Sequence, residues 1–161
     1  LSDDEFEAEM STPDPFASQR EGFRLRLKEL GADPIQRIDG AWERINRPGP
    51  DAASQAAHSL VEFVDWTLRL AAPDTTVLAW HAETQRPSNE LRNGRPDRAL
   101  KIRYLMRNRP NEAESTEMQI RSLTGIMACL QKQKHSPGDK ERRAVERLIP
   151  TVESVIYFVL P

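Results

Sequence analysis

The residues of this chain best suited to chemistry are concentrated between Arg86 and Arg109. Eight bases, Arg86, Arg92, Arg95, Arg98, Lys101, Arg103, Arg107 and Arg109, stand there against two acids, Glu90 and Asp97. A guanidinium grips phosphate oxygens through a planar fork, so Arg at this density points to phosphate, nucleic acid or an acidic partner. The expected phosphate contacts are Arg92, Arg95, Arg98, Lys101, Arg103 and Arg107. Tyr104 sits inside the stretch and could stack a base, or serve as a core residue of an amphipathic helix. The competing account is a solvated Arg-rich loop and helix paired with acids of the same chain. The first fifteen residues supply six acids (Asp3, Asp4, Glu5, Glu7, Glu9, Asp14) and no base.

Two histidine groups carry acid–base potential. His135 ends Gln131-Lys132-Gln133-Lys134-His135 and opens a tight turn, with Lys134, Arg142 and Arg143 near it in sequence. A His there can move a proton while the cations hold a phosphate, or it can simply complement a helix C-terminus. His58, Glu62 and Asp65 fall on one helical face at i, i+4 and i+7. That face is an acid–base group, part of a metal site, or a solvated stripe whose carboxylates pair with Arg69. His81, beside Trp80, has no partner in sequence and reads as structural. No metal site and no cofactor site is expected. The chain has one cysteine, Cys129, and no P-loop, Rossmann glycine pattern, nucleophile elbow, His-Glu-x-x-His or EF-hand loop.

The elements that must position these groups read as helices throughout. At 161 residues, 38% hydrophobic and 30% charged, the chain suits one core of ordinary size. Residues 1–15 form an acidic tail and 16–161 a helical bundle domain. Phe16 to Leu30 reads as a helix closed by Gly31, and Asp33-Pro34 restarts the chain. The segment from Asp51 to Pro73 gathers Leu60, Val61, Val64, Leu68 and Ala71 on one face, opposite Asp51, His58, Glu62, Asp65 and Arg69. Asp74 caps a short helical turn. Glu83 to Pro96 reads as a polar connector, long for a bundle loop. Asp97 to Arg107 is the Arg-rich helix. Glu112 to Lys134 is a long helix with Ile120, Leu123, Met127 and Leu130 inward and Gly125 off the core face. After a turn at His135-Ser136-Pro137-Gly138, Asp139 caps a final helix that Pro150 should kink or split.

No segment alternates with period two, so the fold class is all-α. We expect a single-domain bundle of about five to six helices, its last two long helices antiparallel. No apolar run reaches the roughly twenty residues of a membrane span. With one cysteine and no signal-peptide pattern, this fits a cytoplasmic setting. The chain starts on Leu and stops on an apolar helix, as an ordered piece of something longer would.

Three segments together carry a family likeness. They are Ser54-Gln55-Ala56-Ala57-His58-Ser59-Leu60 running to Ala72-Pro73-Asp74, then Arg98-Ala99-Leu100-Lys101-Ile102-Arg103-Tyr104-Leu105, then Lys134-His135 with the Val152-Glu153 helix. In this order they resemble the predicted pPIWI-associating nuclease domains of bacteria, helical domains encoded near prokaryotic Argonaute-like genes, over residues 35–160. The layout is also similar to HEPN-type domains, whose mark is Arg, four to six residues, then His. Ahead of His135 stand Gln131, Leu130, Cys129 and Ala128, none of them Arg, so the HEPN role does not carry over to His135. The resemblance implies a bacterial defence or toxin-related context and a nucleic-acid partner.

The resulting expectation is a helical module that binds RNA or single-stranded nucleic acid through the Arg-rich loop and helix. One alternative is a metal-independent RNase using His135 with Lys134 and Arg142 or Arg143. Another is a protein-interaction bundle, a homodimer or adaptor, using Trp66 and the apolar end of the last helix.

Overall fold

The computed structural model describes residue 14 and residues 16–47, 49–110, 112–134 and 142–161. Among them seven α-helices follow one another: α1 (Arg20–Leu30), α2 (Ala32–Asn46), α3 (Ala52–Ala71), α4 (Asp74–Glu83), α5 (Arg98–Met106), α6 (Glu112–Lys134) and α7 (Arg142–Val159). Between α4 and α5 lie a 3₁₀ turn, Ser88–Glu90, and two short strands, β1 (Leu91–Arg92) and β2 (Arg95–Pro96). The all-α expectation holds. The helix that makes seven is Asp74–Glu83, a full helix where a short turn was expected after Asp74. No helix among the described residues is long and apolar enough to cross a membrane. The acidic residues 1–13, the turn at 135–138, His135 and the Asp139 cap lie outside the described residues.

Helix α3 is the centre of the packing and touches α1, α2, α5, α6 and α7. Its sequence explains why. Ala52, Ala53, Ala56 and Ala57 let neighbouring backbones come close at its start, and Leu60, Val61, Phe63, Val64 and Leu68 fill the layer beyond; all are buried. Fully burying one such large side chain is worth roughly 1.5–3 kcal/mol. Phe16, Phe23, Phe63 and Tyr157 close one side of the core through edge-to-face ring contacts of 5.4–6.1 Å. Helix α7 adds Val145, Ile149, Val152, Val155, Ile156 and Val159. It continues through the buried Pro150 instead of splitting there.

Local differences from expectation have local causes. Residues 16–19 form a turn, and the helix starts only at Arg20. Gly31 joins α1 to α2 at φ +140°, a backbone state that a Cβ disfavours, and its N–H closes α1 on the carbonyls of Leu27 and Lys28. Asp51 stands ahead of α3 without a side-chain cap, and Pro73, not Asp74, takes the cap position of α4.

The expected polar connector after α4 is built rather than loose. Arg86 N–H bonds to His81 O (3.2 Å) and Gln85 N–H to Ala82 O (3.1 Å), with Gln85 at φ +52°, a paired closure of the helix end. His81 is buried, its Nε2 3.0 Å from Pro87 O, which fixes the chain as it leaves α4. Arg86 lies over the Trp80 ring and bonds Glu90. The strands β1 and β2 then pair antiparallel around Asn93-Gly94, both at positive φ. Asn-Gly suits a two-residue hairpin because both central residues need left-handed backbone.

Candidate functional site

The Arg-rich stretch divides into residues that hold the fold and residues that face outward. Asp97 starts α5, its Oδ1 accepting from Leu100 N–H at 2.8 Å. From there each base of α5 reaches a different neighbour. Arg98 makes a two-pronged pair with Asp65 of α3 (2.7 and 3.1 Å), buried Lys101 meets Asp74 of α4 (2.8 Å), and Arg103 meets Glu117 of α6. Arg107 bonds Tyr104 O (2.7 Å) and lies 4.0 Å from the Tyr104 ring centroid. Tyr104 itself packs edge-on against Trp80. Arg109 donates to the carbonyls of Phe158, Val159 and Leu160, closing the end of α7.

That leaves the hairpin. Arg92 and Arg95 are directly paired across β1 and β2, and both are exposed. Arg92 touches Asp97 only at 3.9 Å, with 86% of its side chain accessible. Arg95 has no partner among the described residues. Like charges directly opposite on a ladder destabilise it, so this placement does nothing for the fold.

A second basic group forms where the ends of four helices meet. Ser54 Oγ, in the first turn of α3, donates to Lys134 O at the end of α6 (2.8 Å). Arg44, near the end of α2, reaches Gln55 of α3 (3.3 Å). Arg142, the first residue of α7, donates through Nε to Ile45 O (2.8 Å) and so closes α2. His58 is one turn further along α3. Its Nε2 is 3.3 Å from Glu62 Oε1, and Glu62 is in turn gripped by Arg37 of α2. Partial burial pushes the His58 pKa below its ordinary 6.5, and Lys134, Arg44 and Arg37 push it the same way. These effects favour the uncharged ring. When its proton stays on Nε2 facing Glu62, Nδ1 is the atom able to accept another.

The two histidine groups read separately from sequence thus share Lys134. In place of the alternative pairing with Arg69, Glu62 and Asp65 are taken by Arg37 and Arg98, and Arg69 stacks on Trp66, which Arg37 also contacts. Arg142 is committed to a helix end, Arg143 is exposed, and His135 is outside the described residues. Arg37, Arg44 and Ser54 were not singled out in the sequence. The available signal was Arg37 and Arg44, seven apart and so on one face of a helix. Most of the apolar end of α7 is buried in its own chain, with Phe158 left half exposed.

One further charged group was not legible. Glu153 of α7 is 1% exposed and receives two bonds from Arg20 of α1, at 2.9 and 2.8 Å. Arg20 also bonds Asp14 (2.6 Å) and lies over the rings of Phe16 and Trp42. Burial raises the Glu153 pKa despite Arg20, while Arg20 lowers that of Asp14. The Trp42 indole N–H also favours the Glu153 carboxylate but makes no well-aligned bond. Among the described residues no group of three His, Cys, Asp or Glu could hold a metal ion.

Fold and site together define an all-α protein with a basic end that carries the exposed His58. The chain belongs to the family described as predicted pPIWI-associating nuclease, whose model matches residues 27–159. That span runs from the last turn of α1 to the end of α7 and takes in His58, Lys134 and the Arg92–Arg95 hairpin. No curated protein and no solved structure matches the chain.

Proposed function

We propose that this protein is a ribonuclease that cuts single-stranded RNA without a resident metal ion, with His58 as the base that starts the reaction. The observation that carries the proposal is an accessible His58 held against Glu62, which Arg37 grips, one turn along α3 from the Ser54–Lys134 bond at one end of the bundle. A metal-independent cut favours RNA on chemical grounds, because the ribose 2′-hydroxyl is a built-in nucleophile that DNA lacks.

In this scheme Nδ1 of His58 takes the 2′-hydroxyl proton. The 2′ oxygen bonds to phosphorus, the bond from phosphorus to the 5′ oxygen breaks, and a second group returns a proton to that oxygen. His135, adjacent in chain to Lys134, is the proposed donor. Lys134 and Arg44 stabilise charge gathering on the phosphoryl oxygens. The products are a 2′,3′-cyclic phosphate and a 5′-hydroxyl. The exposed Arg92 and Arg95 are the proposed backbone contacts; Arg98, Lys101, Arg103 and Arg107 have intramolecular partners and contribute less. A role beside a pPIWI protein in bacterial defence, in the cytoplasm, fits such an activity.

The test compares an RNA strand with the DNA strand of the same sequence. RNA should be cut, while DNA should be bound, increasingly weakly as salt rises, and left intact. Equal cutting of both strands would contradict the 2′-hydroxyl route.

A second reading, a nucleic-acid-binding module that does not cut, is favoured by one specific observation. The unbalanced Arg92 and Arg95 pair lies on the hairpin, apart from His58. Salt-sensitive binding with no RNA cleavage would select it.

A further inference from the structure

A groove of about 390 Å³ opens between the hairpin and α5 on one side and α6 on the other. Its floor is apolar: Ile102, Leu123 and Met127 are all buried, and Ile120 is half buried. Its rim is polar, with Arg92, Asp97 and Arg98 facing Thr124 and Gln131. The volume falls at the small end of the roughly 300–1,000 Å³ typical of small-ligand sites. Arg98 gives two of its three guanidinium nitrogens to Asp65, which holds its plane in place. Arg92 is 86% exposed, and Arg95 stands beside it across the hairpin.

We infer that this groove is a subsite for one unpaired nucleotide, its base lying on the Ile102–Leu123–Met127 floor and its phosphate on Arg92 and Arg95. The inference rests on the nucleic-acid reading above and adds where the strand lies and why it must be single. Charge complementarity chooses the occupant. The two hairpin bases have no strong acid partner, and a bound anion such as a phosphate relieves their mutual repulsion. The apolar floor selects an unpaired base over bare phosphate, and a guanidinium plane is a surface on which such a base can rest. A duplex keeps its bases stacked and cannot present one to the floor.

The groove also points toward the reacting group. Asp65, which holds Arg98 at the rim, lies seven residues along α3 from His58, about 10 Å at 1.5 Å per residue. On the facing helix α6, Met127 of the floor lies seven residues from Lys134, which acts on His58. A strand seated in the groove therefore runs along both helices toward His58.

The test is binding of a fluorescent 2′-O-methyl RNA ten-mer, which lacks the nucleophile and cannot be cut by the proposed route. Ala128 is exposed on the groove wall, so Ala128→Trp fills the groove without entering the core. The expected result is preference for the single strand over its duplex and at least tenfold weaker binding by Ala128→Trp. Thr124→Trp, on the same wall, gives the same reading should Ala128→Trp fail to fold. Binding by both folded Trp variants equal to the unmodified protein would overturn the subsite. So would equally strong competition by a poly-glutamate peptide, which would assign the groove to an acidic protein. If the ten-mer binds as expected and ordinary RNA is never cut, the subsite stands and the ribonuclease reading falls.

Discussion

Replacing His58 by Ala is expected to lower the rate of RNA cleavage by about 10²–10⁴-fold, the usual contribution of a positioned general base. Folding and binding of an uncut strand should change little. The side chain is 55% exposed, and its nearest polar partner among the described residues is Glu62 at 3.3 Å. The pH dependence adds a reading that a structural role would not move. The base acts only when neutral, so activity falls as pH drops through the His58 pKa. Burial, Lys134, Arg44 and Arg37 hold that pKa below 6.5, which keeps the site active into mildly acidic solution. Lys134→Ala removes one of these charges, and the acidic limb of the profile should then move to higher pH. Single-turnover cleavage across a pH series reads both effects. A His58→Ala protein that cuts within threefold of the unmodified rate would remove His58 from the chemistry.

Replacing Arg20 by Ala is expected to cost about 3–5 kcal/mol of stability, the range for leaving one member of a buried ion pair without its partner. Glu153, 1% exposed with Arg20 in place, would lose both of its short bonds, and the stacking of Arg20 on Phe16 and Trp42 would go with them. The cost should depend on pH, with a sign fixed by the two carboxyls. Arg20 lowers the pKa of Asp14, so Asp14 contributes stability at neutral pH that is lost as pH falls through its lowered value. Glu153 is already raised by burial, so its contribution is present at low pH and lost as pH rises through its raised value. Without Arg20 the Asp14 contribution disappears and Glu153 rises further. The gap between the two proteins should therefore be widest near pH 7 and narrow toward pH 4. Thermal unfolding at both pH values measures it. A gap that stays constant, or widens on acidification, would mean that the Arg20–Glu153 pair is not what holds α1 to α7.

How much of this was legible depends on how far apart the partners lie in the chain. The buried stripe of α3 repeats within one helix, and Leu60, Val64 and Leu68 announce it without any other element. The hairpin had a local signal in Asn93-Gly94 that the reading as a polar connector passed over, because its two-residue strands are too short for an alternating pattern to register. The α5 bases could not be assigned from sequence. Whether Lys101 binds phosphate or Asp74 depends on which helix packs beside it, and spacing along α5 is silent on that. The same holds for the proposed site. Ser54 and Lys134 are eighty residues apart and meet only because α3 and α6 pack together. Glu153 gave a misleading sign, since a carboxylate in an apolar helix reads as exposed until Arg20 is seen against it.

The most direct test of the central claim is to incubate the whole chain with single-stranded RNA in excess chelator and identify the ends of the fragments by mass spectrometry. The account predicts cleavage under chelation, leaving 2′,3′-cyclic phosphate and 5′-hydroxyl ends. Cleavage that appears only when a divalent metal is restored, or fragments that carry 5′-phosphate, would contradict it.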